Sequence, residues 1–265
     1  MSRLAVVIAA YDEEENAEAL TRRLHKTLSG LSGWTWEIVY VVEGRDRTRE
    51  ILERLAAELG RLRVLYQEEP AGIGNAFRRG FAAVPEDAGW VVTMDADLNH
   101  QPEEIPRLLE AARATGSDIL IGSRFLEASE VEGTPLWKRF LSGTLNVLMR
   151  VRYGLRVKDK TSGFRVYRAS ALRSLEFKND AFAFLPEILI RAGRAGLVLN
   201  EEPIHFIFRK EGRSKMGIWD TSLSYLTLLS TPKRSSARRS QLSPSEAARR
   251  SERRSGESSS TARRN

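Results

Sequence analysis

The amino-acid sequence predicts an α/β fold with a mostly parallel central sheet covered by helices on both faces. Two observations carry that expectation: short β-rich runs alternate with helical patterns, and the runs are apolar throughout, as strands buried on both faces are. The first strand covers residues 4–10, and the helix after it has Asp12 and Glu15 at capping-box spacing. Strands follow at 37–42, 63–66, 90–94 and 118–121, separated by helices near 46–59, 73–83 and 102–114. Pro102 suits the first turn of the last helix, where its missing N–H has no helical partner to lose. From residue 122 the pattern changes to a long helix near 135–152, a strand near 164–168, a helix near 184–194 and strands near 197–208. No linker-like stretch interrupts them. Residues 1–230 therefore read as one domain, with 215–230 a candidate membrane-proximal helix.

Composition removes several classes of function. Of 265 residues 42% are apolar, enough to bury a core. There is no cysteine, which excludes a disulfide scaffold, a thiolate nucleophile and any zinc site built on Cys. His25, His100 and His205 are far apart and form no H-E-x-x-H pattern, so a bound metal should be a hard cation held by oxygen. The net charge of +7 invites a nucleic-acid reading until it is divided along the chain. Residues 231–265 hold ten Lys and Arg against three Glu, which accounts for all of it, and the body is neutral. No specific nucleic-acid partner is expected. The tail, with ten serines and few apolar side chains, reads as a disordered basic segment. No apolar run approaches the roughly 20 residues that cross a bilayer.

In open α/β sheets ligands bind at the carboxyl ends of the strands, and several chemically capable residues fall there. The strand at 90–94 runs into Asp95, Asp97 and Asn99, which alternate to one side of an extended segment while Ala96, Leu98 and His100 alternate to the other. Two carboxylates about 4 Å apart repel by roughly 4 kcal/mol at a protein surface, and a divalent cation turns that into attraction. Oxygen ligands point to Mg²⁺ or Mn²⁺. Glu13, Glu43 and Asp46 follow the first two strands, where acidic groups can bond sugar or ribose hydroxyls. Gly72-Ile-Gly74 opens a helix, either as ordinary turn chemistry or to let backbone approach a ligand. Its position after the third strand, with Phe77 where a third glycine would stand, disfavours a dinucleotide oxidoreductase. Arg124, Lys138, Arg139, Arg209 and Lys215 form a basic set suited to a phosphate-bearing substrate. The apolar stripes around them, including Trp137, Leu141, Leu145, Leu148 and Met149, read first as core and second as an interfacial helix.

The order of these segments resembles the polyprenol-phosphate mannosyl synthases, of the dolichol-phosphate mannose synthase type, within the family 2 glycosyltransferases. The resemblance is carried by Ala9-Ala-Tyr-Asp-Glu-Glu-Glu-Asn16, Val91 through Glu103, Gly122-Ser-Arg-Phe125, Thr161-Ser-Gly-Phe-Arg165, Pro186-Glu187 and Arg209 through Lys215. It implies a GT-A-like fold, related to the Rossmann fold, that binds a nucleotide sugar. It also implies a divalent cation, a polyprenyl phosphate acceptor, and a peripheral place at the cytoplasmic face of a membrane, with room for an accessory membrane subunit. By the same resemblance Asp95, Asp97 and Asn99 are metal ligands. Ala9, Tyr11, Glu13, Glu43, Asp46, Gly74, Asp95 and Lys215 bind the donor. Ser123, Arg124, Lys138 and Arg139 meet the acceptor phosphate, and Asp97, Arg124 and Arg209 are catalytic. The implied reaction is inverting transfer of a sugar, mannose from GDP-mannose, to a polyprenyl phosphate. A polyprenol-phosphate glucosyl synthase and a nucleotide-sugar binder without turnover are the alternatives. The chain departs from the family at Ala9-Ala-Tyr-Asp12 and at the shortened Glu43-Gly-Arg-Asp46, both where base and ribose would be gripped.

Overall fold

A computed structural model describes residues 2–208 and Tyr225. Alternating strands and helices fill the first half: β1 (Ser2–Tyr11), α1 (Ala17–Ser29), β2 (Trp34–Glu43), α2 (Thr48–Leu59), β3 (Leu62–Gln67), α3 (Ile73–Ala82) and β4 (Trp90–Asp95). A 3-10 turn at Pro102–Glu104 leads into α4 (Ile105–Ala114) and β5 (Ile119–Ser123). The second half comprises β6 (Glu130–Glu132), α5 (Leu136–Tyr153), β7 (Arg165–Arg168), α6 (Ala169–Arg173), α7 (Phe184–Ala195), β8 (Leu199–Pro203) and β9 (His205–Ile207). The expected strands and helices are present, while the short β6 and α6 are additions that the sequence pattern did not mark.

Seven strands form one sheet in the order β3-β2-β1-β4-β7-β5-β8. It is parallel except at β7, which runs antiparallel to both β4 and β5. Side chains alternate across β1 so that Leu4, Val6 and Ile8 enter a core beneath α1, α2 and α4, while Val7 enters another beneath α3 and α7. Burial on both faces explains why these strands read as continuous apolar runs. The chain leaves β1 toward β2 and β3, then crosses back to place β4 on the other side of β1. That reversal opens a crevice between the carboxyl ends of β1 and β4, where Ala9 pairs with Asp95.

One local expectation is corrected. Asp12 does not cap α1 in a box with Glu15, because the helix starts later, at Ala17, with Asn16 before it. Asp12 instead takes a left-handed turn, φ 50°, and accepts the backbone N–H groups of Arg45 at 3.0 Å and Asp46 at 3.3 Å. Asp46 answers by accepting those of Glu14 and Thr48. The loops after β1 and β2 are thus stitched together by two carboxylates, each satisfying donors that no helix or strand would.

Close packing of α3 on the sheet rests on Gly80, where a Cβ would collide with Val7 and press on Val41 at 3.1 Å. Gly80→Val should lower unfolding stability by about 1–3 kcal/mol through overpacking. Urea denaturation checks this, and an unchanged midpoint would contradict it.

Candidate active site

The crevice collects most of the sequence-predicted acidic residues. Asp95 closes β4, and Asp97 and Asn99 follow on the same side, each half-buried, while Ala96 and Leu98 turn into the core. His100 departs from the simple alternation. Leu98 has φ 61°, which turns the chain back so that His100 Nδ1 lies 3.5 Å from Asp95 Oδ2 and accepts the Asp95 N–H at 3.4 Å. The ring is wedged between Phe164 and Phe206, and burial pushes its pKa down to about 4. It is a neutral brace for Asp95.

Burial, opposed by Arg124 and Arg165 and assisted by Glu13, raises the Asp95 carboxyl to about 6, although a third of its side chain still meets solvent. Asp97 is raised to about 6 by burial and then by Asp95 itself. Gly163 presses against this pair: a Cβ there would stand 2.6 Å from Asp95 Oδ1. Its carbonyl is fixed by Thr93 Oγ1 at 2.7 Å. The bare glycine therefore makes room for the carboxylate on one side, as His100 does on the other.

Two crowded carboxylates form a donor set that fits a hard divalent cation. Among the described residues no three His, Asp or Glu side chains converge on a metal position. Asp95 and Asp97 alone suffice for Mg²⁺, which keeps waters and substrate phosphates as its other ligands. Asn99, read from the sequence as a third ligand, stands beside Asp97 and is bonded to it. Its amide nitrogen donates to Asp97 Oδ2 at 2.5 Å, and its backbone N–H to Oδ1 at 3.1 Å. The reverse amide orientation would set oxygen against carboxylate.

On the β1–β2 side, Tyr11 and Glu43 are register partners. Tyr11 is exposed, and Glu13 bonds Asn16 at 2.7 Å. Glu43 is buried; burial raises its pKa against the opposing Ala71 N–H and the Arg79 guanidinium 3.9 Å away. Asp46 has both oxygens engaged by backbone. Gly74 is occupied within the fold: its N–H donates to Asp180 O at 2.8 Å, and a Cβ would collide with Asn179 O. The close approach foreseen for this loop is to protein backbone at 179–180.

On the other side, Arg124 has a partner the sequence did not announce. Its Nε and Nη2 donate to the fully buried Asp159 at 2.8 and 2.9 Å, and Nη2 also meets Thr161 Oγ1 at 2.8 Å. Burial acts against the Asp159 charge, but Arg124 outweighs it and the pKa is lowered. Asp159 also accepts the N–H groups of Arg124, Thr161 and Ser162. Arg165, fully buried, closes the same loop by donating to the carbonyls of Lys160, Ser162 and Leu185. The signal in the sequence was the polar and charged run 159–162, shortly before the strand β7. Ser123 is fully buried, its Oγ facing the Phe125 N–H at 3.4 Å, so it does not face a phosphate in this structure. Lys138 and Arg139 lie in the first turn of α5, and their side chains are outside the described set. Arg209, Lys215 and the tail at 231–265 also lie outside the described residues. Tyr225, within the 215–230 segment, is helical and buried against Met149 and Ala183.

A doubly covered, mostly parallel sheet with paired aspartates at its switch point defines a nucleotide-sugar-type α/β fold of the GT-A kind. Solved structures agree on the fold. Glucosyl-3-phosphoglycerate synthase from Mycobacterium tuberculosis with phosphoglyceric acid matches at TM-score 0.64 and 21% identity, over 88% of this chain and 82% of that one. The same enzyme with Mn²⁺, UDP and phosphoglyceric acid matches at TM-score 0.60 and 21% identity, over 88% and 80%.

Residues 5–176 match the glycosyl transferase family 2 model. This chain belongs to that family. It is 36% identical to a dolichol-phosphate mannosyltransferase of Pyrococcus furiosus over 81% of its own length and 59% of the relative's. It is 32% identical to the undecaprenyl-phosphate mannosyltransferase of Micrococcus luteus, covering 81% of this chain and 87% of that one. A polyprenol monophosphomannose synthase of Mycolicibacterium smegmatis is 34% identical, over 81% of each.

Two expectations follow from the geometry. Arg124→Ala leaves Asp159 buried without its cation and should cost about 3–5 kcal/mol, much of it recovered by adding Asp159→Asn. Chemical denaturation of the single and double variants measures this; no recovery would refute the pairing. The second concerns pH. Asp95 and Asp97 have folded pKa values above the ordinary 3.8, so the destabilisation they cause is full above about pH 6 and disappears as pH falls toward 4. Asp97→Asn in chelator should therefore melt higher than the parent at pH 7.5 and match it below pH 4. Thermal unfolding at the two pH values decides, and an equal difference at both would exclude the repulsion.

Proposed function

We propose that this glycosyltransferase moves mannose from GDP-mannose to a polyprenyl phosphate, with inversion at the anomeric carbon and a requirement for Mg²⁺ or Mn²⁺. The observation that carries the metal requirement is the crowded Asp95–Asp97 pair at the switch point, with carboxyl pKa values pushed up to about 6. The relatives' names support the sugar and the lipid acceptor.

Asp95 and Asp97 would hold the divalent cation. When bound, that cation supplies stabilisation of the charge that develops on the leaving diphosphate. The remaining chemistry belongs to the chain. Ala9, Tyr11, Glu13 and Glu43 line the donor side of the crevice. A phosphate monoester has its second pKa near 6, so the acceptor arrives as an anionic nucleophile and needs no strong general base. The need is alignment for in-line attack and positive charge around two phosphate groups. Arg124 serves by fixing the 159–163 loop beside Asp95, and Lys138, Arg139, Arg209 and Lys215 supply the cations.

A lipid surface as partner is supported by α5. Trp137, Leu141, Leu148 and Val151 repeat at spacings of three to four or seven along one face and are exposed, Val151 to 76%, with Val147 beside them. Here the first reading of the stripe as core is corrected: among its described residues Met149 alone is fully buried, with Leu145 packed at the edge of the core. Among the described residues no helix is long and apolar enough to cross a membrane.

The test is a donor panel, GDP-mannose and UDP-glucose among them, against a short polyprenyl phosphate with Mg²⁺, Mn²⁺ or chelator. The expected product is lipid-linked mannose, lost on chelation. Asp97→Ala should abolish it without unfolding the protein, and Gly163→Ala, which displaces the Asp95 carboxylate, should depress it at least about tenfold. A water-soluble product, or activity indifferent to chelator and to Asp97→Ala, would overturn the proposal.

A further inference from the structure

A cavity of about 400 Å³ opens at the edge of the sheet opposite the aspartate pair. Its floor includes Val91, at the start of β4, and Ala169, which follows the antiparallel β7 at the same edge. Four residue steps along β4 separate Val91 from Asp95, about 13 Å of extended chain. The cavity is therefore distinct from the crevice. Its size falls in the range of small-molecule sites, about 300–1,000 Å³.

The walls are apolar and the lining cations outnumber the acids. Phe81 on α3, Leu172 on α6 and Phe177 beyond it face the space. Behind Phe81 lies Tyr167, whose buried hydroxyl has no hydrogen-bond partner, a sign that this part of the interior is incompletely filled. Arg78, Arg173 and Lys178 line the cavity with a single acid, Glu176. Arg78 is stacked on Phe177 and paired with Asp180. Arg173 instead donates to a neutral acceptor, the Pro85 carbonyl, at 2.8 Å. Lys178, exposed and anchored through its backbone N–H by Glu187, also lines the cavity. A guanidinium and an ammonium at the rim of an apolar space match a ligand with an apolar body and one anionic head.

We propose that this cavity binds an amphiphilic anion of medium chain length, with its carboxylate or phosphate head held by Arg173 and Lys178. The apolar body displaces poorly held water from between Phe81, Leu172 and Phe177. The proposal stands apart from the transfer reaction and uses none of its residues.

Isothermal titration with dodecanoate, dodecyl phosphate and uncharged dodecanol, each below its aggregation limit, tests it on the full chain. One molecule of an anionic ligand should bind per chain, and dodecanol at least about tenfold more weakly. Whichever anion binds more tightly identifies the head group. Two exposed positions give independent variants: Ala82→Trp fills the mouth, and Arg173→Glu reverses its charge. Each should weaken the anions at least about tenfold while the melting temperature and mannosyl transfer stay at parental values. Equal binding of dodecanol would overturn the anion recognition. Unchanged binding in both variants would place the amphiphile elsewhere, such as the exposed face of α5, and overturn the site.

Discussion

Two negative charges forced together at the end of β4 set the terms for everything around them. Asp95 and Asp97 sit where the sheet reverses direction, half out of water and within each other's field, and the fold holds them there against their own repulsion. Three devices do this. His100 packs beneath Asp95 as an uncharged wedge, Gly163 leaves space that any side chain would take, and the guanidiniums of the part-buried Arg124 and the buried Arg165 supply positive potential. The arrangement costs stability, and carboxyl pKa values raised in this way are characteristic of sites prepared for a charged ligand.

Those guanidiniums are themselves held in a hierarchy. Arg124 is neutralised by Asp159, whose remaining lone pairs gather the backbone of residues 161 and 162. Arg165 meets three carbonyls, and its charge acts on Asp95 without a direct bond. Asp159 is in turn anchored at its N–H by Glu201 on β8, 2.7 Å away. A chain of interactions thus runs from the far strand of the sheet to the rim of the crevice, with the carboxylates that need positive charge at its end.

Much of the architecture was legible because the physics is local and repetitive. Strands buried on both faces must be apolar throughout, and β1, β2 and β4 were readable for that reason. The Asp95–Asp97 spacing was readable because a strand end projects alternate residues to one side. Features decided by distant contact were hidden. Asp12 looked like a helix cap, yet its partners are Arg45 and Asp46, on the next loop. Gly72 and Gly74 read equally as turn chemistry or as room for a ligand, and they accommodate the backbone at 179–180. Ser123 looked available beside Arg124, but it is fully buried with its Oγ facing the Phe125 N–H. Asp159, which organises one wall of the crevice, belongs to a stretch whose meaning depends on β7 pairing backwards between β4 and β5, and no periodicity announces strand direction.

That reversed strand has an architectural outcome. In a purely parallel sheet, only segments leaving a strand can reach the carboxyl edge. Because β7 runs the other way, the segment entering it arrives there, so one flank of the crevice is built by residues 153–164 and the other by the bound loops after β1 and β2. Within that entering segment Leu155 and Val157 pack into the core beneath α3 and α7, so the part of it that shapes the crevice is the stretch 159–163, where Asp159 holds Arg124 and Gly163 meets Asp95.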